Sequence, residues 1–329
     1  MRRTGPQNQP GRHLTTNSLP AQKFAQRGCS SSRAEIVPKP RSDSLSADFI
    51  KATPTRHPLP FRAADFGTLT EALDYAAGGD TGSNFYTGRG VIYASITYKQ
   101  LRGEALELAR KLLGLGLSKG DRVALVAETD PEFIRFFYAC QYAGLIPVAL
   151  PASVKIGAHS AYVAQLQCLL EASDAAVGVA SEGYLPFLQE ASEGMGMRMV
   201  DEPSAFHALP ANTMPLPHIT AGDISYIQYT SGSTRFPRGV VIKHQTAMAN
   251  LRGIIVDGLD ISARDRLMSW LPFYHDMGLV GFVLVPMAAQ ISVDYLDTRE
   301  FAMRPRQWLT LMTKTRATIS FAPSFGYDL

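Results

Sequence analysis

The sequence predicts an α/β fold built from doubly wound, mostly parallel sheets. From about residue 66 onward, short apolar runs typical of buried strands alternate with segments in which apolar residues recur at helical spacing. The chain has 329 residues, of which 46% are hydrophobic and 19% charged, so it can bury the core of about two domains. This composition excludes a wholly disordered chain, a collagen and a coiled coil.

Charge, apolar runs and cysteines restrict the class of protein further. The formal net charge is only +3, which gives no reason to expect a nucleic-acid partner. The longest nearly uncharged apolar run, Gly278 to Val293, is shorter than the roughly 20 residues of a membrane-spanning helix, so we expect no stable membrane insertion. Three scattered cysteines suit neither a disulfide framework nor a zinc site, which indicates a reducing compartment and a cytoplasmic protein.

A basic segment precedes the predicted sheets. Residues 1–45 carry eight basic and two acidic side chains and few periodic apolar positions. Such a segment cannot bury enough surface to offset the entropy of ordering, so residues 1–60 are predicted to form a disordered basic tail. The composition is also that of an organelle transit peptide, but no sustained amphipathic helix is visible. We therefore favour a solvated tail or a start codon assigned too early.

Local signals predict the elements of a first α/β subdomain over residues 61–215. Thr97 and Gln100 form a capping box, and Asp130 before Pro131 is a helix cap followed by a proline in the first turn. In chain order we predict a helix after Thr68, a hairpin over Asn84–Ser95, a helix after Thr97, a strand at Arg122–Ala127, a helix after Asp130, a strand at Ile146–Leu150, a helix around Tyr162–Glu171 and a strand at Ala175–Ala180.

The start of a second α/β subdomain, incomplete, is predicted over residues 216–329. Residues 201–223 hold four prolines among small polar residues, and we interpret them as a joint between the two subdomains. Beyond this joint we predict strands at Ile224–Tyr229 and Gly239–Lys243, a helix from about Thr246, a helix around Arg306–Thr313 and a last strand at Thr318–Ala322.

The clearest chemical signal is the string YTSGSTRFPRG, from Tyr229 to Gly239. Its run of hydroxyl-bearing residues and glycine lets backbone amides and hydroxyls converge on one anion, and Arg238 adds a permanent positive charge. These groups suit a nucleotide phosphate chain, although most Ser/Thr/Gly loops are ordinary surface turns. The string is neither a Walker A loop nor a GxGxxG dinucleotide fingerprint.

The string resembles the phosphate-binding signature of the acyl-adenylate-forming enzymes, which include acyl-CoA synthetases, peptide-synthetase adenylation domains and luciferases. That signature usually reads YTSGSTG, any residue, then PKG. Here Arg235 stands in place of the glycine and Arg238 in place of the lysine. Arg235 and a second string, SWLPFYHDMGL from Ser269 to Leu279, are similar to the fatty acyl-AMP ligase branch. The resemblance begins near Phe66 and covers about the first half of a family member.

The resemblance implies a role for each matching residue. The ATP phosphates would be held by Thr230, Ser231, Gly232, Ser233, Thr234 and Gly239. Thr230 would also be a ligand of Mg²⁺, so ATP and Mg²⁺ are the expected cofactors. His275 would be the catalytic residue, beside the acyl carboxylate and the α-phosphate, where it stabilises charge as oxygen attacks phosphorus. The wall of the acyl-chain site would begin with Met277, Gly278 and Leu279.

The resemblance also implies an activity and partners. A complete enzyme would convert a fatty acid and ATP to acyl-AMP and pyrophosphate, then pass the acyl group to an acyl carrier protein or a polyketide synthase. The family's later motifs, which bind adenine, ribose and Mg²⁺ and supply a catalytic lysine, do not occur in residues 1–329, so we expect this chain to be inactive alone. Two alternatives stay open: an acyl-CoA synthetase fragment, and a truncated, non-catalytic remnant that binds an acyl group or a nucleotide.

The remaining histidines have a structural interpretation. His159, His207 and His244 show no spacing typical of a metal site or a catalytic group, so we predict that they are structural or exposed. A lone His-Asp pair such as His275 and Asp276 would also favour a structural role, but the string around it favours the catalytic one.

Overall fold

The computed structural model describes residues 59–152, 159–230 and 238–328. Residues 1–58, which make up almost all of the predicted disordered tail, lie outside these described residues. Within the described ranges, no helix combines the length and the hydrophobicity that crossing a bilayer requires.

The described strands are short, and we number them in chain order. They are β1 Gly82–Tyr86, β2 Ile92–Thr97, β3 Arg122–Val126, β4 Ile146–Leu150, β5 Ala175–Val179, β6 Met199–Asp201, β7 Ile224–Thr230, β8 Arg238–Lys243, β9 Arg266–Ser269 and β10 Ser292–Leu296.

The helices alternate with these strands along most of the chain. They are α1 Leu69–Ala76, α2 Tyr98–Gly114, α3 Pro131–Ala143, α4 His159–Ser173, α5 Leu185–Ser192, α6 Pro203–His207, α7 His244–Gly253, α8 Asp276–Gly278, α9 Val285–Ala288, α10 Thr298–Met303 and α11 Arg306–Thr315. Ile254–Gly258 and Leu279–Leu284 are wider, π-helical turns, and Ser324–Tyr327 is a 3₁₀ turn.

Two sheets organise the described residues. One has six strands in the order β6-β5-β3-β4-β7-β8, parallel throughout except for the antiparallel pair of β7 and β8. The other has four strands in the order β2-β1-β10-β9, parallel except for the β1–β2 hairpin. The predicted α/β class with mostly parallel sheets is therefore confirmed.

Side chains on β3 show why helices cover both faces of the six-stranded sheet. Val123 and Leu125 pack into the core that contains α2 and α3, whereas Ala124 and Val126 pack with α4 and α5. Successive side chains of a strand point to opposite faces, so an almost wholly apolar strand needs a helical layer on each side. This arrangement is the doubly wound layering that the sequence predicts.

The predicted division at residues 215 and 216 stays a prediction, but strand pairing crosses that point in both directions. The hairpin of β1 and β2, from the first stretch, pairs with β10 from the second. Conversely, β7 from the second stretch pairs with β4 from the first. Each sheet thus combines strands from both sides of the predicted boundary.

Three predicted helix starts are confirmed by side-chain caps. The Thr68 hydroxyl accepts a hydrogen bond from the Glu71 amide at 3.1 Å. Thr97 and Gln100 form the full capping box, with each side chain accepting from the other residue's backbone amide. The Asp130 carboxylate accepts from the Phe133 amide at 2.9 Å. Each cap satisfies a backbone donor that the first helical turn leaves unpaired.

One expectation for the second predicted subdomain is corrected. The predicted last strand, Thr318–Ala322, is a single bridge between Ile319 and Leu267 rather than a strand. The predicted joint, 201–223, stays a prediction; it contains the end of β6 and the whole of α6, in which Pro203 occupies the first helical position, where its missing amide costs nothing.

A buried ion pair holds the four-stranded sheet in register. The Arg266 guanidinium donates to both carboxylate oxygens of Asp294, each at 2.6 Å, from β9 to β10. The Asn84 amide on β1 donates to the same carboxylate at 2.8 Å. Asp294 is fully buried, and a buried charge is tolerated when it is paired and hydrogen-bonded in this way.

Candidate functional site

A cleft of about 380 Å³ lies where β4 and β7 of the six-stranded sheet end. Ligands of open α/β sheets bind beyond the carboxyl ends of the strands. Four segments line the cleft: the end of β4 with the residue that follows it, α4, the β7–β8 pair and the turn before α8. The lining residues are Ala149, Pro151, Gln165, Leu169, Gln228, Tyr229, Thr230, Val240, Ile242, Tyr274, His275 and Asp276.

Thr230 is the predicted phosphate and Mg²⁺ ligand that the structure places in this cleft. It is the last residue of β7, and its side chain is exposed at the end of the strand. The predicted phosphate ligands Ser231, Gly232, Ser233 and Thr234 lie outside the described residues.

Gly239 lies opposite Tyr229 in the antiparallel pair of β7 and β8. A Cβ atom at Gly239 would lie 3.2 Å from the Tyr229 ring and 3.1 Å from the Ile227 Cγ2 atom. The Tyr229 hydroxyl donates to the Leu169 carbonyl at 3.0 Å, which holds the ring in the cleft wall. The glycine thus leaves room for a cleft residue, and its predicted contact with phosphate stays a prediction.

His275 lies in the cleft at the start of α8, and its side chain is 45% exposed. Its Nδ1 atom lies 2.6 Å from an Asp276 carboxylate oxygen and 3.4 Å from the Met277 amide nitrogen. Nδ1 accepts a hydrogen bond from the Met277 amide, and the same amide donates to the Asp276 carboxylate at 2.8 Å. A ring nitrogen that accepts carries no hydrogen, so Nε2 carries the hydrogen of the neutral ring.

The predicted acyl-wall residues lie behind this turn. Leu279 is fully buried in the main core, and Met277 packs against that core. Gly278 is also buried, and a Cβ atom there would lie 2.1 Å from the Pro272 carbonyl oxygen. None of the three is among the residues that line the cleft, so their contact with an acyl chain stays a prediction.

A cation would find few ligands among the described residues. Within 59–152, 159–230 and 238–328, no group of three His, Cys, Asp or Glu residues is arranged to hold a metal ion. Mg²⁺ is commonly held by one or two protein oxygens together with substrate phosphates and water. The exposed Thr230 hydroxyl fits such a site as a single oxygen ligand.

Sequence reasoning missed the cleft residues that come from β4, α4 and the interior of β7. The most informative of these is Gln228, which is 8% exposed and whose Nε2 atom has no hydrogen-bond partner among the described residues. A signal was present, because two residues before Thr230 a glutamine stands between the apolar Ile227 and the aromatic Tyr229 of a predicted buried strand.

Comparison with known proteins supplies the family. The sequence model of the family described as AMP-binding enzyme matches residues 82–328. A Caulobacter vibrioides protein named "Putative acyl-CoA synthetase" is 44% identical over 278 residues, which cover 84% of this chain and 48% of that protein. Long-chain-fatty-acid--AMP ligase FadD32 of Mycolicibacterium smegmatis is 31% identical over 257 residues, covering 74% of this chain and 39% of the ligase.

A solved structure agrees with this assignment. It comes from a study of fatty acyl-adenylate ligases from E. coli and L. pneumophila, and it is 49% identical with a TM-score of 0.79. The match covers 82% of this chain and 48% of that one. The chain therefore spans about half the length, or less, of the relatives and the structure that it matches.

Proposed function

The chain belongs to the AMP-binding enzyme family, and on this premise we propose that it contributes the acid-activating site of a fatty acyl-AMP ligase. The complete enzyme joins a fatty acid to AMP and releases pyrophosphate. The observation that carries the proposal is that one cleft contains both Thr230, where the phosphate-binding string leaves β7, and His275 of the second string. Relatives named as fatty-acid–AMP ligases support the substrate class.

In the proposed reaction, a carboxylate oxygen of the fatty acid attacks the α-phosphorus of ATP. A bond forms between that oxygen and phosphorus, and the bond between the α-phosphorus and its bridging oxygen breaks. The bridging oxygen leaves as part of pyrophosphate, and the attacking carboxylate has no proton to lose. The protein's contribution is therefore to position the two substrates and to stabilise the charge that moves between them.

In this proposal, His275 stabilises the negative charge that develops during the reaction. Its Nδ1 accepts from the Met277 amide, which orients the ring and leaves Nε2 available to the substrates. In this tautomer Nε2–H donates to an oxygen of the carboxylate or the α-phosphate. Such a donor acts most strongly where negative charge develops in the transition state.

In this proposal, Thr230 supplies a hydroxyl oxygen as a ligand of Mg²⁺. Its exposed hydroxyl at the end of β7 would contact the phosphates and one Mg²⁺ ion. Bound Mg²⁺ would neutralise part of the phosphate charge. Ser231, Gly232, Ser233, Thr234 and Gly239 are proposed to complete the phosphate site, and Met277, Gly278 and Leu279 the start of the acyl wall.

The further path of the acyl group is part of the same proposal. The complete enzyme would act in the cytoplasm and transfer the acyl group to an acyl carrier protein or a polyketide synthase. The name of the Caulobacter vibrioides relative favours a second candidate, an acyl-CoA synthetase. Supplying CoA or a carrier protein as the only acceptor, and identifying the acylated product by mass spectrometry, separates the two.

The first test measures binding, because we expect residues 1–329 to be inactive alone. The ligand is 5′-O-(N-dodecanoylsulfamoyl)adenosine, a stable analogue of an acyl adenylate. We expect calorimetry to show that the chain binds it and that His275→Ala weakens binding about tenfold, the effect of losing one hydrogen bond to a charged group. His159→Ala is the matched control, since His159 also lies 2.6 Å from a carboxylate, that of Glu190, but outside the cleft.

Other outcomes would change the proposal. If the chain binds neither the analogue nor ATP, the proposed function is wrong. Equal losses of affinity in His275→Ala and His159→Ala would remove His275 from the site. The same samples, incubated with ATP, Mg²⁺ and fatty acids, also report turnover. Acyl-AMP above the His275→Ala background would support the activity and contradict the expected inactivity.

A further inference from the structure

Gln228 is a buried polar side chain whose amide nitrogen is left without a hydrogen-bond partner by the described part of the chain. Its side chain is more than nine-tenths buried, and Nε2 has no partner among the described residues. An amide nitrogen can only donate hydrogen bonds. Buried donors are nearly always paired. Tyr86, Tyr138, Trp270 and Thr315 also have a buried side-chain atom without a partner among the described residues, but of this group only Gln228 lines the cleft.

The strands on either side of Gln228 cannot provide an acceptor from their side chains. In the sheet register, Gln228 lies between Ala149 on β4 and Val240 on β8. Both neighbours are apolar, and both line the cleft together with Gln228. Strand pairing on both sides fixes the backbone of Gln228, so its side chain stays in the cleft wall.

A second buried glutamine shows how this chain treats an amide with a purely structural role. Gln141 is 1% exposed, and its Nε2 donates to the Ser225 carbonyl at 2.9 Å. Its Oε1 accepts from the Ser225 hydroxyl at 2.9 Å. Gln141 is thus paired by internal groups, whereas Gln228, whose amide nitrogen has no partner among the residues that the structure describes, lines the cleft.

We propose that Gln228 Nε2 donates a hydrogen bond to the carbonyl oxygen of the bound acyl adenylate, an inference that rests on the proposed function. Gln228 lies two residues before Thr230 on β7, and it is buried whereas Thr230 at the end of the strand is exposed. The described lining residues include no Lys or Arg. Arg238 lies opposite Thr230, at the strand end where the phosphates are proposed to bind, whereas the register neighbours of Gln228 are the apolar Ala149 and Val240. In such surroundings a neutral acyl carbonyl needs only one neutral donor, but a charged phosphate oxygen needs a charged partner.

The test compares two ligands and one variant. 5′-O-(N-dodecanoylsulfamoyl)adenosine carries the acyl carbonyl, and 5′-O-(N-dodecylsulfamoyl)adenosine lacks that oxygen. Gln228→Met keeps nearly the same volume without the amide. The measured quantity is the affinity for the dodecanoyl ligand divided by the affinity for the dodecyl ligand. We expect calorimetry to show that this ratio is about tenfold smaller in Gln228→Met than in the wild-type chain, the effect of losing one hydrogen bond. AMP should bind equally to the wild-type chain and to Gln228→Met.

Unfolding temperatures show whether a change in ligand affinity comes from a lost ligand contact or from a less stable fold. Gln228→Met removes a donor that no described residue pairs, so we expect an unfolding temperature equal to or above that of the wild-type chain. Gln141→Met leaves the Ser225 hydroxyl and carbonyl without their partner, so it should unfold several degrees lower while keeping the wild-type ratio of ligand affinities.

Each remaining outcome has a definite meaning. If wild type binds both ligands and Gln228→Met leaves their ratio unchanged, this inference is wrong and the proposed function stands. If the variant weakens AMP by the same factor, the acceptor is a phosphate oxygen, which overturns the assignment to the carbonyl. A Gln228→Met chain that unfolds several degrees lower has lost an internal partner, which also overturns it. Absence of any binding to wild type overturns the proposed function and this inference together.

Discussion

At the scale of single residues, His244 shows how burial gives a histidine a structural role. Its side chain is 2% exposed, and Nδ1 accepts a hydrogen bond from the Leu69 amide, at the start of α1, at 3.1 Å. Burial lowers its pKa to about 4, and the opposing effects of the Asp223 and Glu71 carboxylates are too small to prevent this. The predicted structural role of this histidine agrees with its position.

The lowered pKa of His244 predicts a pH-dependent stability. The unfolded chain takes up the proton near pH 6.5 and the folded chain only near pH 4. Between these values the unfolded state binds more protons, so the free energy of unfolding falls as the pH falls. We expect a loss of about 3 kcal/mol between pH 7 and pH 4, measured by urea unfolding.

A variant isolates this contribution from that of other titrating groups. In His244→Asn, the amide oxygen can accept from Leu69 but does not titrate. The difference in unfolding free energy between wild type and His244→Asn should therefore shift by about 3 kcal/mol over this pH range, against the wild type at low pH. A difference that stays constant from pH 7 to pH 4 would show that His244 does not cause the dependence.

At the scale of elements, the turn that presents His275 depends on a glycine. Gly278 ends α8 so close to the Pro272 carbonyl that a Cβ atom would lie 2.1 Å from its oxygen. The Pro272 carbonyl also accepts from the His275 amide at 3.2 Å. A side chain at residue 278 must therefore move the backbone that positions the candidate catalytic histidine.

Alanine at this position should affect both stability and the site. We expect Gly278→Ala to lower the free energy of unfolding by about 1–3 kcal/mol through overpacking, and to weaken binding of the acyl-adenylate analogue. The matched control is Gly103→Ala in α2, where a Cβ atom meets nothing within 4 Å. That change should stabilise the chain by about 0.5–1 kcal/mol, since alanine is the better helix former. Equal effects of the two variants on unfolding would contradict the proposed crowding.

At the scale of the whole molecule, β8 is an edge that carries apolar side chains. It is the last strand of the six-stranded sheet among the described residues, and Val241 on it is 53% exposed. An edge strand has unpaired backbone groups along one side, and apolar residues there favour pairing with another chain. Self-association through β8 is the expected consequence.

Placing a charge on this edge should reduce self-association. We expect Val241→Lys to lower the weight-average mass measured by light scattering at high protein concentration, because lysine on an edge strand opposes pairing. Val256→Lys, at an exposed valine in the π-helical turn after α7, makes the same change of charge away from any sheet edge. If both variants lower the mass equally, net charge and not the β8 edge controls association.

Much of the chain's local structure and its family follow from the sequence alone. The caps at Thr68, Thr97 and Asp130 and the hairpin after Asn84 are interactions between residues a few positions apart, so a short string of residues determines them. The string from Tyr229 to Gly239 likewise indicated the family that the comparisons confirm, because the signature consists of consecutive residues.

Only the tertiary structure decided how these pieces combine. Ala149 and Gln228 are neighbours in one sheet although 78 intervening residues separate them in the chain, and nothing local specifies that pairing. The same dependence on a partner explains why Thr318–Ala322 forms one bridge and no strand. What packs around a residue also determines the burial of Leu279 and the lack of a described partner for the amide nitrogen of Gln228. Sheet pairing and burial arise from contacts between distant residues, so they are decided when the chain folds.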